Sequence, residues 1–199
     1  EARFGEPSLQ RARYLALDRL ALRAGCEWID LEADRDGAPM RALAAEAKDS
    51  GVQLIGSHHY LGPFPGTAAF AAALRRCELG GAAALAKAVA MAHEPAHALA
   101  VHAAAAAAGL RVPHVALAMG AAGRMSRVLN IYMTPVTHPA LPRAAAPGQL
   151  SVREICQVRA SLGYAPARRF LLFGSPIEHS PSPVIHNAAF AASILEHRY

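Results

Sequence analysis

The sequence predicts an α/β protein built on a parallel sheet, and three observations carry that expectation. Helix-like and strand-like segments alternate from the start, the strand-like ones are short and apolar, and the pattern repeats at roughly 28 residues. Such a period holds a strand and a crossover helix, and crossovers of that length join parallel neighbours.

Helical periodicity over residues 8–24 stops at Gly25, and CEWIDLEA, 26–33, reads as the first strand. A helix over 38–49 ends near Gly51, and VQLIGSHHY, 52–60, reads as the second strand. Thr67 is placed to cap a helix over 67–79. Residues 83–91, AAALAKAVAM less its first alanine, are read as a strand because the flanking pattern requires one; their alanines alone favour helix. Pro95 suits a first turn, and a long Ala-rich helix runs from there to Gly109.

PHVALAMG, 113–120, is the fourth strand, followed by a short helix near 124–130 and a fifth strand at YMTPVTH, 132–138. Ser151 and Glu154 form a capping box that opens a helix over 152–162. GYAPARR, 163–169, has the composition of a linker and is the expected domain boundary, so the first domain is 1–162. FLLFGSP then restarts the pattern as a strand, and SPSPVIHNAAFAASIL continues it as a helix with Pro183 near its first turn, within a second domain over 170–199. Five strands before the linker fall short of the eight in a closed barrel, so the expected fold is a (β/α)8 TIM barrel lacking its first strands. An open, doubly wound five-stranded sheet is the alternative.

Composition narrows the function. Of 199 residues 53% are hydrophobic, which is ample for a packed core, and no uninterrupted apolar run reaches membrane-spanning length. The opening EARFGEPSLQRARY holds no apolar signal core. Cys26, Cys77 and Cys156 are widely spaced, which suggests neither a disulfide framework nor a metal site and fits a reducing compartment. The net charge of +5 comes almost wholly from scattered arginines, Lys48 and Lys87 being the only lysines. No arginine-rich helix face or interleaved aromatics accompany them, so neither nucleic acid nor membrane is expected as partner, and a small anionic substrate suits the charge better.

Polar residues gather toward the C-terminal ends of three strands: Asp30 and Glu32, His58 and His59, and Lys87. In a parallel barrel that edge is the active-site face. Lys87 is the sole polar residue between Gly81 and Met91, so its ammonium must find a partner or lose its proton. Lowering a lysine to a pKa of about 7 to 8 disfavours the charge by about 4 kcal/mol, within the reach of burial, and the free amine would attack a carbonyl to form a Schiff base. The other reading is a lysine snorkelling from an Ala-rich helix. The histidines offer a base near neutral pH, or a hydrogen-bonded strand end. Asp30 and Glu32 alternate and so share a face, where they orient a histidine, bind a hydroxyl, or simply meet solvent. Arg127 offers a fork for a carboxylate and is otherwise a solvated arginine. Gln149, on a Pro-Gly turn before a capped helix, faces substrate or is a plain turn residue.

The strings WIDLE (28–32), LIGSHHY (54–60), AKAVAMA (86–92), MGAAGRMSRVLN (119–130), MTPVTHPALP (133–142) and AAPGQLS (145–151) resemble type I 3-dehydroquinate dehydratase, particularly as it occurs within fungal-type pentafunctional AROM proteins. The resemblance covers nearly all of residues 10–160 and implies a lyase of the shikimate pathway, making 3-dehydroshikimate from 3-dehydroquinate. It implies that Lys87 is the Schiff-base lysine and His59 the general acid and base, with His58 left open because Tyr60 stands where the family has Asp or Asn. It further implies substrate-binding roles for Asp30, Arg127, Gln149 and Met119, Met119 serving equally well as a core side chain. The carboxylate that orients the family's histidine would fall at or before Glu1 and has no assigned counterpart. FLLFGSPIEHSPSPVIHNAAF resembles the start of shikimate dehydrogenase, whose substrate serines would be Ser180 and Ser182, or helix caps. That resemblance implies shikimate or 3-dehydroshikimate at this segment and NADP for a whole dehydrogenase, its binding residues lying beyond Tyr199. The dehydratase itself implies no cofactor and no metal. A homodimer is compatible with the reading, and cytoplasm, or a plastid in a plant or alga, is the expected compartment.

Overall fold

A computed structural model describes residues 7–34, 37–132, 134–164 and 166–199, with side chains from residue 12 onward. Residues 1–6, read for a signal core, lie outside the described residues, as do Met133 of the expected fifth strand and Ala165 of the expected linker. The chain forms two compact units, Glu1–Tyr132 and Met133–Tyr199.

In the first unit α1 (Pro7–Arg23), β1 (Trp28–Glu32), α2 (Ala38–Asp49), β2 (Gln53–His59), α3 (Thr67–Arg76), β3 (Leu85–Met91), α4 (Ala96–Ala108), β4 (His114–Met119) and α5 (Arg124–Leu129) alternate as expected. The strands form one parallel sheet in the order β1-β2-β3-β4. A doubly wound sheet reverses direction at a switch point; four strands in consecutive order contain no reversal. With right-handed crossovers this order puts the helices on one face.

That face is apolar. Ile29, Leu31 and Leu54 pack with Leu15, Met40 and Leu43 from α1 and α2, while Ala88, Ala90, Ala116 and Ala118 pack with Phe70 and Leu74 of α3 and Val101 and Ala104 of α4. Here the alanines of β3 acquire their reason. Ala86, Ala88 and Ala90 are fully buried, and their small side chains let Ala-rich helices approach the sheet closely. Tertiary packing overrides helix propensity in this segment.

Several local expectations need correction. Gly66, not Thr67, is the N-cap of α3, without a side-chain cap bond, and the helix ends at Arg76 before a 3-10 turn at Leu79–Gly81. Gly109 ends α4 in the left-handed region at φ 61, where only glycine is free of a Cβ penalty. Among the described residues the expected fifth strand is not formed. Thr137 makes only an isolated parallel bridge with Ser151, and Pro135, within the expected strand, lacks the N–H that a ladder needs.

The second unit contains α6 (Val152–Ser161) and α7 (Ser182–Ala192). α6 opens with the predicted capping box: Ser151 Oγ accepts the Glu154 N–H, and Glu154 Oε2 accepts the Ser151 N–H at 2.7 Å. FLLFGSP is likewise not a strand, since Arg169 and Arg198 form a single bridge and the residues beyond find no ladder. An aromatic cluster organises this end instead, with Phe170 stacked on Phe190 at 5.2 Å and Tyr199 on His186 at 4.7 Å.

Candidate active site

The face of the sheet opposite the helices carries the charge. Register aligns Glu32 with Ser57, Ser57 with Lys87, and His59 with Val89, so strand alternation puts Asp30, Glu32, His59 and Lys87 on one face. His58, one residue earlier, points to the helix side, where its ring meets Tyr60 edge-to-face at 4.3 Å. Of the two histidines, only His59 shares the lysine's face.

Two pairs occupy this surface. Lys87 Nζ donates to Asp30 Oδ2 at 2.8 Å, its side chain 16% exposed. Of the two outcomes open to a lysine in an apolar stretch, the structure shows a partner. His59 Nδ1 and Glu32 Oε1 are 2.5 Å apart, and because an ionised carboxylate only accepts, Nδ1 carries the proton and Nε2 is left as the basic nitrogen. Of the readings open to Asp30 and Glu32, Glu32 takes that of a carboxylate held against a histidine. Alternation along WIDLE put Glu32 beside Asp30, but which histidine it met depended on register.

Tyr14 of α1 secures the strand that bears both carboxylates. Its hydroxyl donates to the Asp30 carbonyl at 2.8 Å and accepts the Glu32 N–H at 3.0 Å, and burial raises the phenol to about 12. Sequence reasoning missed this residue, since a tyrosine on an amphipathic helix gives no sign of a strand-edge contact.

Around these pairs, Val89, Val115 and Leu117 form an apolar cluster joined by Leu85 and Met119, which pairs in register with Met91. Met119 therefore lines the same face as Lys87, at the C-terminal edge of β4. Arg127 lies on α5 directly after that edge. It is 2% exposed, and burial holds its guanidinium below its usual pKa, which contradicts a solvated arginine.

The remaining expected residues belong to the second unit. Gln149 Oε1 accepts the N–H groups of Ala145 and Ala146 at 2.9 and 3.3 Å, closing its own turn. Ser180 Oγ accepts the Ser182 N–H at 3.3 Å, the capping arrangement, just ahead of α7.

Comparison with known proteins bears on the family and the fold. The family model described as type I 3-dehydroquinase matches residues 2–165. A pentafunctional AROM polypeptide of Malassezia globosa is 40% identical over 97% of this chain, which spans only 12% of that relative's length. Among solved structures, the dehydroquinate dehydratase and shikimate dehydrogenase from S. pombe AroM is 33% identical with a TM-score of 0.81, over 97% of this chain and 37% of that one. A type I 3-dehydroquinate dehydratase from Clostridium difficile, with covalently modified comenic acid, shares the fold at 23% identity and a TM-score of 0.64, over 78% of this chain and 62% of that one. The parallel α/β sheet, the ordered strings along it and the match over most of its length place the chain in the type I 3-dehydroquinase family, a family of lyases.

Proposed function

We propose that this chain carries the Schiff-base machinery of a 3-dehydroquinate dehydratase, belonging to a multifunctional shikimate-pathway protein. The observation that carries the reading is the pairing, on one sheet face, of His59 with Glu32 on the neighbouring strand and of Lys87 with Asp30 two strands away. A nucleophilic amine and a general base stand side by side, each held by its own carboxylate.

Asp30 Oδ2 is placed to receive the ammonium proton as the substrate ketone displaces this contact. The neutral Lys87 amine then adds to the C3 carbonyl, and loss of water gives the imine. Protonated, that imine withdraws electrons from C2 and acidifies its proton. His59 Nε2 removes the C2 proton, and the resulting imidazolium, stabilised through Nδ1 by Glu32, returns it to the departing C1 hydroxyl as water. Hydrolysis of the imine releases 3-dehydroshikimate and frees Lys87. Arg127 supplies a buried cation for the substrate carboxylate and Met119 an apolar wall. The activation resides in the imine, so the chemistry calls on no metal or dissociable cofactor.

Residues 163–169 are proposed as the linker to a segment, 170–199, corresponding to the start of a shikimate dehydrogenase. Ser180 and Ser182 would bind the carboxylate of shikimate there, with NADP belonging to residues further along such a domain. The likeness to the S. pombe protein, which runs over 97% of this chain and 37% of that one, supports this part.

Borohydride reduction in the presence of 3-dehydroquinate, followed by peptide mass mapping, tests the dehydratase reading. A reduced adduct on Lys87 is expected. An adduct on Lys48, or none, would overturn it.

A further inference from the structure

The outward edge of β4 is closed by side chains. In β4 the odd residues bond to β3, as the Ala92 N–H to Met119 carbonyl contact shows, so Ala116 and Ala118 direct their N–H and C=O groups away from the sheet. The Ala116 N–H donates to Asn130 Oδ1 at 3.1 Å, and Asn130 Nδ2 donates back to the Ala116 carbonyl at 2.8 Å. The Ala118 N–H donates to Ser126 Oγ at 2.9 Å, and that hydroxyl donates to the Gly123 carbonyl at 2.7 Å. One carboxamide and one hydroxyl do the work of a neighbouring strand.

From these contacts we infer that Ser126 and Asn130 are positioning residues for Arg127. The inference rests on the reading above that Arg127 binds the substrate carboxylate. α5 has six residues, too few to hold its shape alone, so its placement comes from what grips it. Ser126 and Asn130 are four apart and lie on one face, and fixing that face fixes the direction of Arg127, which is about 100° further round the helix. The grip is redundant. Asn130 Nδ2 also donates to the Ser126 carbonyl at 2.7 Å, and His102 Nε2 of α4 meets the same oxygen at 3.0 Å. At the head of the helix a Cβ on Gly123 would lie 2.1 Å from the Ala118 carbonyl oxygen, so only glycine allows this approach. Ser126 and Asn130 are 0% and 3% exposed, where hydrogen bonds with buried backbone groups are costly to lose.

The test uses the full chain, isotopically labelled, and compares Asn130→Ala with wild type. Three quantities are read: exchange of the Ala116 amide, the Arg127 Nε–H signal, and KM and kcat for 3-dehydroquinate. Loss of the carboxamide is expected to speed Ala116 exchange by about tenfold or more, to shift the Arg127 signal, and to raise KM about tenfold while kcat stays within about twofold. Ser126→Ala removes the hydroxyl's bonds with the Ala118 N–H and the Gly123 carbonyl, and should speed Ala118 amide exchange, shift the Arg127 signal and raise KM about tenfold. Met125→Ala, on the exposed side of α5, should move none of them. A folded Asn130→Ala protein with an unchanged Arg127 signal would overturn the inference, as would a fall in kcat alone. Should Asn130→Ala fail to fold, the Arg127 signal of Ser126→Ala decides the matter in the same way. A wild-type chain that does not bind 3-dehydroquinate would sink the functional reading, while the Arg127 and Ala116 signals would still decide the positioning role.

Discussion

His58 and His59 are neighbours on β2, yet His58 lies on the helix side of the sheet against Tyr60, with Asp34 Oδ2 3.9 Å away, while His59 pairs closely with Glu32 on the face that carries Lys87. His58 is 8% exposed, and burial, its largest influence, lowers its pKa. His59 is half-buried and held by Glu32. The helix side of the sheet selects for volume and apolarity, with alanines admitting close helices. The opposite side tolerates charge because Lys87 and His59 each have a carboxylate partner from β1 on the same face. A residue's chemistry here follows from which face it occupies more than from what it is.

Substitutions can break this contrast, and the largest effect belongs to the lysine. Lys87→Met removes the nucleophile and should lower turnover of 3-dehydroquinate by at least about 10⁴-fold, measured by formation of the conjugated product, with loss of borohydride trapping. The histidines come next and test the two faces directly. His59→Gln should lower kcat by about 10²- to 10⁴-fold with little change in thermal midpoint. His58→Gln should do the reverse, destabilising the fold by about 1 kcal/mol while kcat per folded molecule remains near wild type.

Glu32→Gln sharpens the comparison within the charged face. A neutral amide can still accept from Nδ1 but no longer stabilises an imidazolium, so kcat should fall about 10- to 150-fold, the worth of a charge-assisted hydrogen bond. An unchanged kcat would separate Glu32 from the chemistry.

The smallest effect concerns the helix side as a whole. His58, His102 and His114 all have pKa values depressed chiefly by burial. Below about 6.5 their unfolded counterparts take up protons that the folded protein resists, so the unfolded state binds more protons. Stability is therefore full above that pH and declines as pH falls through the depressed folded values. Urea midpoints from pH 8 to pH 5 should fall, and His102→Gln should flatten the slope.

Much of this was legible from residues alone. The alternation of elements followed from periodicity, the capping box from Ser151 and Glu154, and the lysine from its isolation among apolar neighbours. Strand alternation placed Asp30 with Glu32. The two strands expected at YMTPVTH and FLLFGSP failed because a strand is a property of a pair: apolar β-branched sequence proposes it, but a partner with free N–H and C=O groups must complete it.

Local sequence determined which segments coil, which extend and which residue types could supply a nucleophile and a base, because those properties depend on covalent chemistry and short-range geometry. Tertiary structure alone decided that Glu32 meets His59, that Tyr14 braces β1 and that Asn130 closes β4. Each joins residues from different elements, and a side chain's partner is set by register and packing that no single segment encodes.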